Sequence, residues 1–345
     1  MNSTVFKAFC RRRAAKGFLL LCLILTIAGC GSVSVQPQSL FVFYATPGSK
    51  GAEWLWARHY SAAGNPEEGP IKLGRLGLVA QTQIVTSGPS HQILVTLGHH
   101  IVAITRSQQV RPYAQLPAPY DALSIRWLSS ALYAVVQTPS ASHAQVWRFE
   151  KNRWQKVRRS LPQGIVTLVV GPMGMPSAFV VDPHRAYIIG LTAHGPSYPI
   201  FSGGAPAGTV GFARGTAIIP YASGQRGFGQ WIAHQNARHS MRYSFSGVRR
   251  AVLAILPGWP LWGLTVQGLV SYRGTRPQWS KMLPWPSPRE ATMVVVGQRG
   301  TPWLVILDGP SQGIWFNQRT GRFGPSFAIV VPDPAVVRAV ALSAP

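Results

Sequence analysis

Two histidines stand side by side in Leu97-Gly98-His99-His100-Ile101, and adjacent imidazoles could bind a metal. In a strand their side chains point to opposite faces and cannot easily share an ion, whereas in a turn they can. A real site needs several correctly spaced ligands. The pair is therefore expected to be an exposed polar turn, with no metal. Met173 and Met175 offer two thioethers to a soft ion. With no His or Cys beside them they read as a packing loop. Glycoside hydrolysis needs two carboxylates about 5 to 10 Å apart. The chain has only nine acids, which are scattered along its length. Asp182 and Asp308 each follow an inner-strand-like run, FVVD and LVILD. They could face a central channel or make turn hydrogen bonds. No Gly-x-Ser-x-Gly, His-Glu-x-x-His or phosphate-loop motif occurs. Twelve tryptophans raise the question of stacking on sugars. Trp147 and Trp315 hold one phase of a repeat, as do Trp147 and Trp231 counted from its end, which is the mark of packing between sheets. Trp54 and Trp56 share one face of an expected edge strand and could stack on a ligand.

The segment Asn317-Gln318-Arg319-Thr320-Gly321-Arg322-Phe323 is similar to one turn of the repeats in pyrroloquinoline-quinone enzymes. That resemblance implies Thr-Gly before an aromatic in most repeats. Here it occurs once and lacks the preceding Asp, so a plain hairpin turn and no cofactor are expected.

The amino end says where the chain works. Lys7, Arg11, Arg12, Arg13 and Lys16 precede Gly17–Gly29, thirteen residues without a charge. A basic flank and a short apolar run make a secretory leader. The run is too short for a spanning helix, which needs about 20 apolar residues. It ends in Ile27-Ala28-Gly29-Cys30, which resembles the lipobox of bacterial lipoproteins. The resemblance implies cleavage between Gly29 and Cys30 and diacylglycerol on the Cys30 thiol. Cys10 and Cys22 lie in the leader, so the mature chain keeps one thiol and can form no internal disulfide. The expected organisation is a signal over 1–29, a tether over 30–39 and a folded body over 40–345.

Removing residues 1–29 leaves 316 residues, ample for a core. It also takes away five of 33 bases, leaving 28 against nine acids and a net charge of +19 with His neutral. Only 12% of residues are charged, about half the usual share. Few carboxylates means little stability to lose in acid, so an acidic exterior is the favoured explanation. Binding to an anionic partner would favour clustered bases, and here only Arg158-Arg159 and Arg249-Arg250 pair up.

The elements that must position all these residues are strands. Gly 35 and Pro 29 punctuate short apolar runs, the pattern of an all-β chain. Asp121–Pro162 shows the unit best: ALSIRWL, ALYAVVQ, AQVWRFE and RWQKV. Period-two alternation puts Val146, Arg148 and Glu150 on one face and Trp147 and Phe149 on the other. VWRFE-KN-RWQKV reads as a hairpin. Units stop at Pro117, Pro162, Ser202, Ser246, Pro284 and Pro325, about 42 residues apart on average. The same unit recurs in PSAFVVD to PSYPIFSG and in GTAIIPYA to SMRYSFSG, where three strand-like runs stand out in each. The first unit (SLFVFYA, AEWLWARHY, PIKLG) gives only three strands, and FAIVVPDPAVVRAVALSAP supplies a surplus strand at the far end. The body resembles a β-propeller, of seven four-stranded blades with one blade built from both termini. The alternative is another all-β repeat or a sandwich.

A membrane-anchored extracytoplasmic binding module is the function expected, with membrane lipid as partner through the acyl anchor and an envelope protein or anionic polymer as ligand. No specific nucleic acid is expected. The alternative is a hydrolase or quinone-dependent oxidoreductase using the axial channel, or a structural envelope protein.

Overall fold

The computed structural model describes residues 39–342 apart from 49–52, 78–82, 139, 142–143, 159–160, 163, 171–174, 182–184, 193–196, 203–210, 214–215, 223–227, 235–240, 245–253, 257–259, 261, 266, 274–277, 287–290, 296–302 and 309–310. Over 197–254 only the backbone of the strands is described. The leader, Gly29 and Cys30 lie outside these residues, as does Met173. Among the described residues no helix is long and apolar enough to cross a membrane.

The chain is all strand and turn. The first sheet starts with β1 (Leu40–Pro47), β2 (Glu53–Tyr60) and β3 (Ile71–Arg75). The second is β4 (Val85–Ser87), β5 (Ile93–Leu97), β6 (His100–Ile104) and β7 (Val110–Gln115). The third is β8 (Asp121–Leu128), β9 (Ala131–Gln137), β10 (Gln145–Glu150) and β11 (Arg153–Arg158). The fourth is β12 (Ile165–Val170), β13 (Pro176–Val181), β14 (Arg185–Gly190) and β15 (Ser197–Ser202). The fifth is β16 (Gly211–Ala213), β17 (Thr216–Ala222), β18 (Phe228–His234) and β19 (Met241–Ser244). The sixth is β20 (Ala254–Leu256), β21 (Trp262–Thr265), β22 (Gly268–Arg273) and β23 (Gln278–Pro284). The seventh is β24 (Ala291–Val295), β25 (Trp303–Asp308), β26 (Gln312–Asn317) and β27 (Arg322–Ala328). Last comes β28 (Val336–Leu342), which returns to the first sheet and pairs antiparallel with β1, Leu342 opposite Leu40 and Val340 opposite Val42. Every sheet is an antiparallel meander, and the first runs β28-β1-β2-β3.

β12 and β16 complete the fourth and fifth units, where three strand-like runs stand out in the sequence. β16 is three residues long and Gly-bounded, too short for periodicity to register. β12 is IVTLVV, five aliphatic residues around Thr167, with no polar alternation to mark it.

Local chemistry makes the hairpins. Lys151-Asn152 and Ser129-Ser130 each form a two-residue turn with both residues at positive φ (51° and 59°; 45° and 69°). Such turns match the right-handed twist of the flanking strands. The expected β10–β11 hairpin is thus present, with Glu150 opposite Arg153.

The sheets bury their faces against one another. Phe41, Phe43 and Leu55 of the first sheet meet Ile93 and Val95 of the second. Leu94 and Ile101 of the second meet Ile125 and Ala134 of the third. Tyr133 and Val146 of the third meet Leu168 and Val180 of the fourth. Trp262 and Leu264 of the sixth meet Leu304 and Phe316 of the seventh, whose Val305 and Trp315 in turn meet Leu40 and Val340 of the first. First strands of neighbouring sheets also touch. Gln83 and Ser124 form a parallel bridge, Trp127 N donates to Thr86 Oγ1 (3.0 Å), and Arg126 donates to the Leu168 carbonyl (2.7 Å). Those last two bonds join residues 41 and 42 positions apart, which is the repeat length read from the sequence.

The phase given to the tryptophans needs correcting. Trp147 faces the second sheet beside Phe149, while Trp315 is fully buried on the face of the seventh sheet that meets the first. Relative to their neighbours in the ring order they point in opposite senses, because the residue equivalent in facing to Trp147 is Phe316. A shift of one residue in a strand reverses the face.

Candidate functional site

A groove of about 800 Å³ opens between the first and second sheets. Leu73, Leu97, Ile101 and Val102 give it apolar walls, and Arg75, Tyr113, His99, His100 and Asp121 supply its polar groups. It is built by one tight turn. Gly98-His99 joins β5 to β6, with Leu97 opposite His100 and Gly98 at φ 72°. The turn is held by the segment that leads from β7 into β8: Leu116 N, just after β7, donates to the His99 carbonyl (2.8 Å), and Ala122 N of β8 donates to the Gly98 carbonyl (3.0 Å).

Two glycines allow this closeness. A Cβ on Gly77 would stand 2.8 Å from Gly98 Cα, and one on Gly98 would stand 3.2 Å from Asp121 Oδ1. The segment leaving β3 therefore lies directly on the turn, with the Asp121 carboxylate against both.

The turn also settles the histidines. Their rings lie 3.9 Å apart, centre to centre, and both are exposed. His99 Nδ1 is 3.8 Å from Asp121 Oδ1, an ion-pair distance once the imidazole is protonated and too long for a hydrogen bond. Among the described residues no cluster of three His, Cys, Asp or Glu could hold a metal ion. Burial pushes the Tyr113 hydroxyl above its ordinary range, so it stays a neutral donor. An apolar trough with a few oriented polar groups can hold and orient a ligand.

The other candidates fall elsewhere. Asp308 ends β25, the second strand of its sheet, and Asp182 follows β13, also a second strand. The inner-strand placement of both is therefore corrected: β24 and β12 take that position. The Asp308 carboxylate and all of Asp182 lie outside the described residues. Nor is β2 an edge strand, since β3 covers it. Trp54 and Trp56 do share a face, but the Lys72 ammonium sits 3.7 Å over the Trp54 ring and 5.7 Å from Trp56. That cation occupies the ring surface a ligand would need. The Asn317–Phe323 segment is the hairpin turn expected, with Asn317 Oδ1 accepting from Arg319 N and Thr320 N (3.1 and 3.0 Å).

Sequence reasoning singled out the histidines and missed Arg75, Tyr113 and Asp121 as their neighbours. The available signal was Gly77 and Gly98, each flanked by leucine: two glycines 21 residues apart on successive units mark a close backbone approach.

No family model matches this chain, and no curated protein matches it. Solved structures do. A putative 6-phosphogluconolactonase from Bacteroides uniformis aligns with a TM-score of 0.57 at 13% identity, covering 88% of this chain and 99% of that one. The computationally designed Ika8 protein aligns at 0.52 and 11%, covering 84% and 87%. The C-terminal WD40 domain of Sif2 aligns at 0.49 and 9%, covering 73% and 74%. The first two, both above 0.5, show the fold alone at these identities, which is propeller-like and repetitive.

Proposed function

We propose that this chain is an exported lipoprotein, cleaved after Gly29 and acylated on Cys30, whose body is a seven-bladed propeller acting as a binding module. The pairing of β28 with β1 supports closure of the ring through a blade shared by both termini. The packing of the first four sheets in order, and of the sixth on the seventh and the seventh on the first, supports the blade count. The observation that carries the binding role is the groove: apolar walls beside a small set of polar groups, held rigid by backbone bonds from Leu116 and Ala122. Its partner is an envelope component outside the membrane, read by the Tyr113, His99 and Arg75 side chains.

A photo-crosslinking residue at Tyr113 in the native, anchored protein tests this reading. It is expected to capture one partner that Leu97→Asp abolishes, while the same residue at Lys156 captures none. Equal capture from both positions sinks the groove as a binding site. Mass spectrometry of the native chain is expected to show a diacylated amino-terminal Cys30, and Cys30→Ala is expected to leave the membrane fraction. A bare thiol or an intact leader rules out the anchor.

A further inference from the structure

Five bases recur at one topological position. Arg106 lies in the turn between β6 and β7, Lys151 and Arg153 at the turn between β10 and β11, and Arg319 and Arg322 at the turn between β26 and β27. All five are exposed, and no described carboxylate pairs with any of them. Each turn joins the third strand of its sheet to the fourth. By chain position Arg238, between β18 and β19, and Arg276, between β22 and β23, continue the series.

In an antiparallel meander alternate turns fall at the same end. In the first sheet that end is where the folded body begins, since Leu40 pairs with Leu342 and with Tyr60. Three contacts align it with the corresponding ends of neighbouring sheets. Gln108, in the β6–β7 turn, lies 3.4 Å from His59 near the close of β2. The Trp315 indole donates to the Ala62 carbonyl just beyond β2 (2.9 Å). The parallel Gln83–Ser124 bridge sets the second and third sheets in the same sense. The acids at this end are Glu67, Glu68 and Glu150, and two are engaged: Glu67 with His59 at 2.8 Å and Glu150 with Arg148 at 2.9 Å. At the opposite end the described free charges include Asp333 and Arg75, Asp121 faces His99 at 3.8 Å, and Glu53 pairs with Arg338.

We propose that the end carrying Arg106, Lys151, Arg153, Arg319 and Arg322 docks on an anionic lipid headgroup surface. This rests on acylation at Cys30. Ten residues separate Cys30 from Leu40 and reach at most about 35 Å. The described body begins at this end, at Leu40, so the bases are the side chains nearest the point where the tether joins it. Each base beside an anionic membrane contributes about fivefold in partitioning. Acyl chains and bases together make the two signals that stable, oriented anchoring needs.

The test uses residues 30–345 with Cys30→Ser, so that no acyl chain contributes. All 28 strands lie within it. It is expected to sediment with vesicles rich in phosphatidylglycerol and not with pure phosphatidylcholine. Changing the five turn bases to Gln is expected to weaken that partitioning at least about fiftyfold. Changing three exposed bases elsewhere, Lys72, Lys156 and Arg338, is expected to cost less than about fivefold in total. Equal losses from the two variants, or no partitioning by the parent, overturns the proposal. So does turn-dependent binding of soluble polyglutamate without vesicle binding, which would make the face a polymer site. A bare Cys30 in the native protein overturns the anchor and leaves the vesicle result standing, so the two failures are distinct.

Discussion

Closure of the first sheet by its two distant strands can be locked and measured. Ala45 and Val336 are Cα partners across β1 and β28. Ala45 is small, and Val336 is 51% exposed, so cysteine at both sites removes little packing. In a background with Cys10, Cys22 and Cys30 changed to Ser, the two new thiols are the only pair available. Their disulfide would close a loop of about 290 residues. The chain-entropy relation gives about 19 cal/mol/K for such a loop, or about 5.7 kcal/mol at 25 °C. Unfolding entropy of about 2.1 cal/mol/K per residue over the folded body gives about 0.65 kcal/mol/K. The ceiling on the gain in Tm is therefore about 9 °C, and engineered bonds deliver less, so a rise of about 3–9 °C is expected. The assay is non-reducing electrophoresis with thiol counting, then calorimetry with and without reductant. Ala45→Cys with Val337→Cys is the control, because one residue of slip turns the second thiol to the other face. Failure of the 45/336 pair to oxidise, or equal oxidation of the control, refutes the register and with it the closure.

Three further outcomes follow from single sites. Trp315 is fully buried and its indole donates to Ala62 O, so Trp315→Phe is expected to lose about 1–2 kcal/mol and Trp315→Ala about 3–5, read from denaturant midpoints; a loss below about 0.5 from Ala contradicts the packing of the seventh sheet on the first. Gly321 has φ 65° and its Cβ would stand 2.7 Å from the buried Trp262 ring, so Gly321→Ala is expected to cost about 2–4 kcal/mol, while Gly69→Ala, with open space around it, costs less than about 0.5; equal costs would sink the turn geometry. Burial raises Tyr44, Tyr60, Tyr113 and Tyr133 above their ordinary range, Arg58 partly opposing it at the first two. Folded tyrosine then holds its proton more tightly than unfolded, so stability is full below about pH 10 and falls as pH rises through the folded values. Absorbance titration is expected to show these four ionising late and together with unfolding, and a single simple transition of all ten tyrosines near pH 10 would contradict it.

Strands with clean alternation were legible from sequence because one face is buried and the other is not. The strand β10 reads correctly residue by residue: Val146 packs toward the fourth sheet and Trp147 with Phe149 toward the second. What alternation cannot reveal is an aliphatic strand whose adjacent residues are both buried, such as Leu168 and Val169 of β12, or one of three residues, such as β16. The groove was half visible. The His99-His100 pair stands out as residue types, but Asp121 reaches it from the third sheet through a fold of the chain, and no local pattern encodes that approach. Lys72 over Trp54 is likewise a cross-strand event, and it removed the stacking surface that two tryptophans on one face had suggested.

Because Leu40 finds its partner about 300 residues downstream, the first sheet cannot be completed until β28 has been made. Contacts this remote slow folding, since the loop entropy is lost before the pairing repays it. Until then the β28 side of β1 is an open strand bearing Phe41 and Phe43, a template for pairing with another chain. Removing β28 from the folded protein would return β1 to the same exposed state.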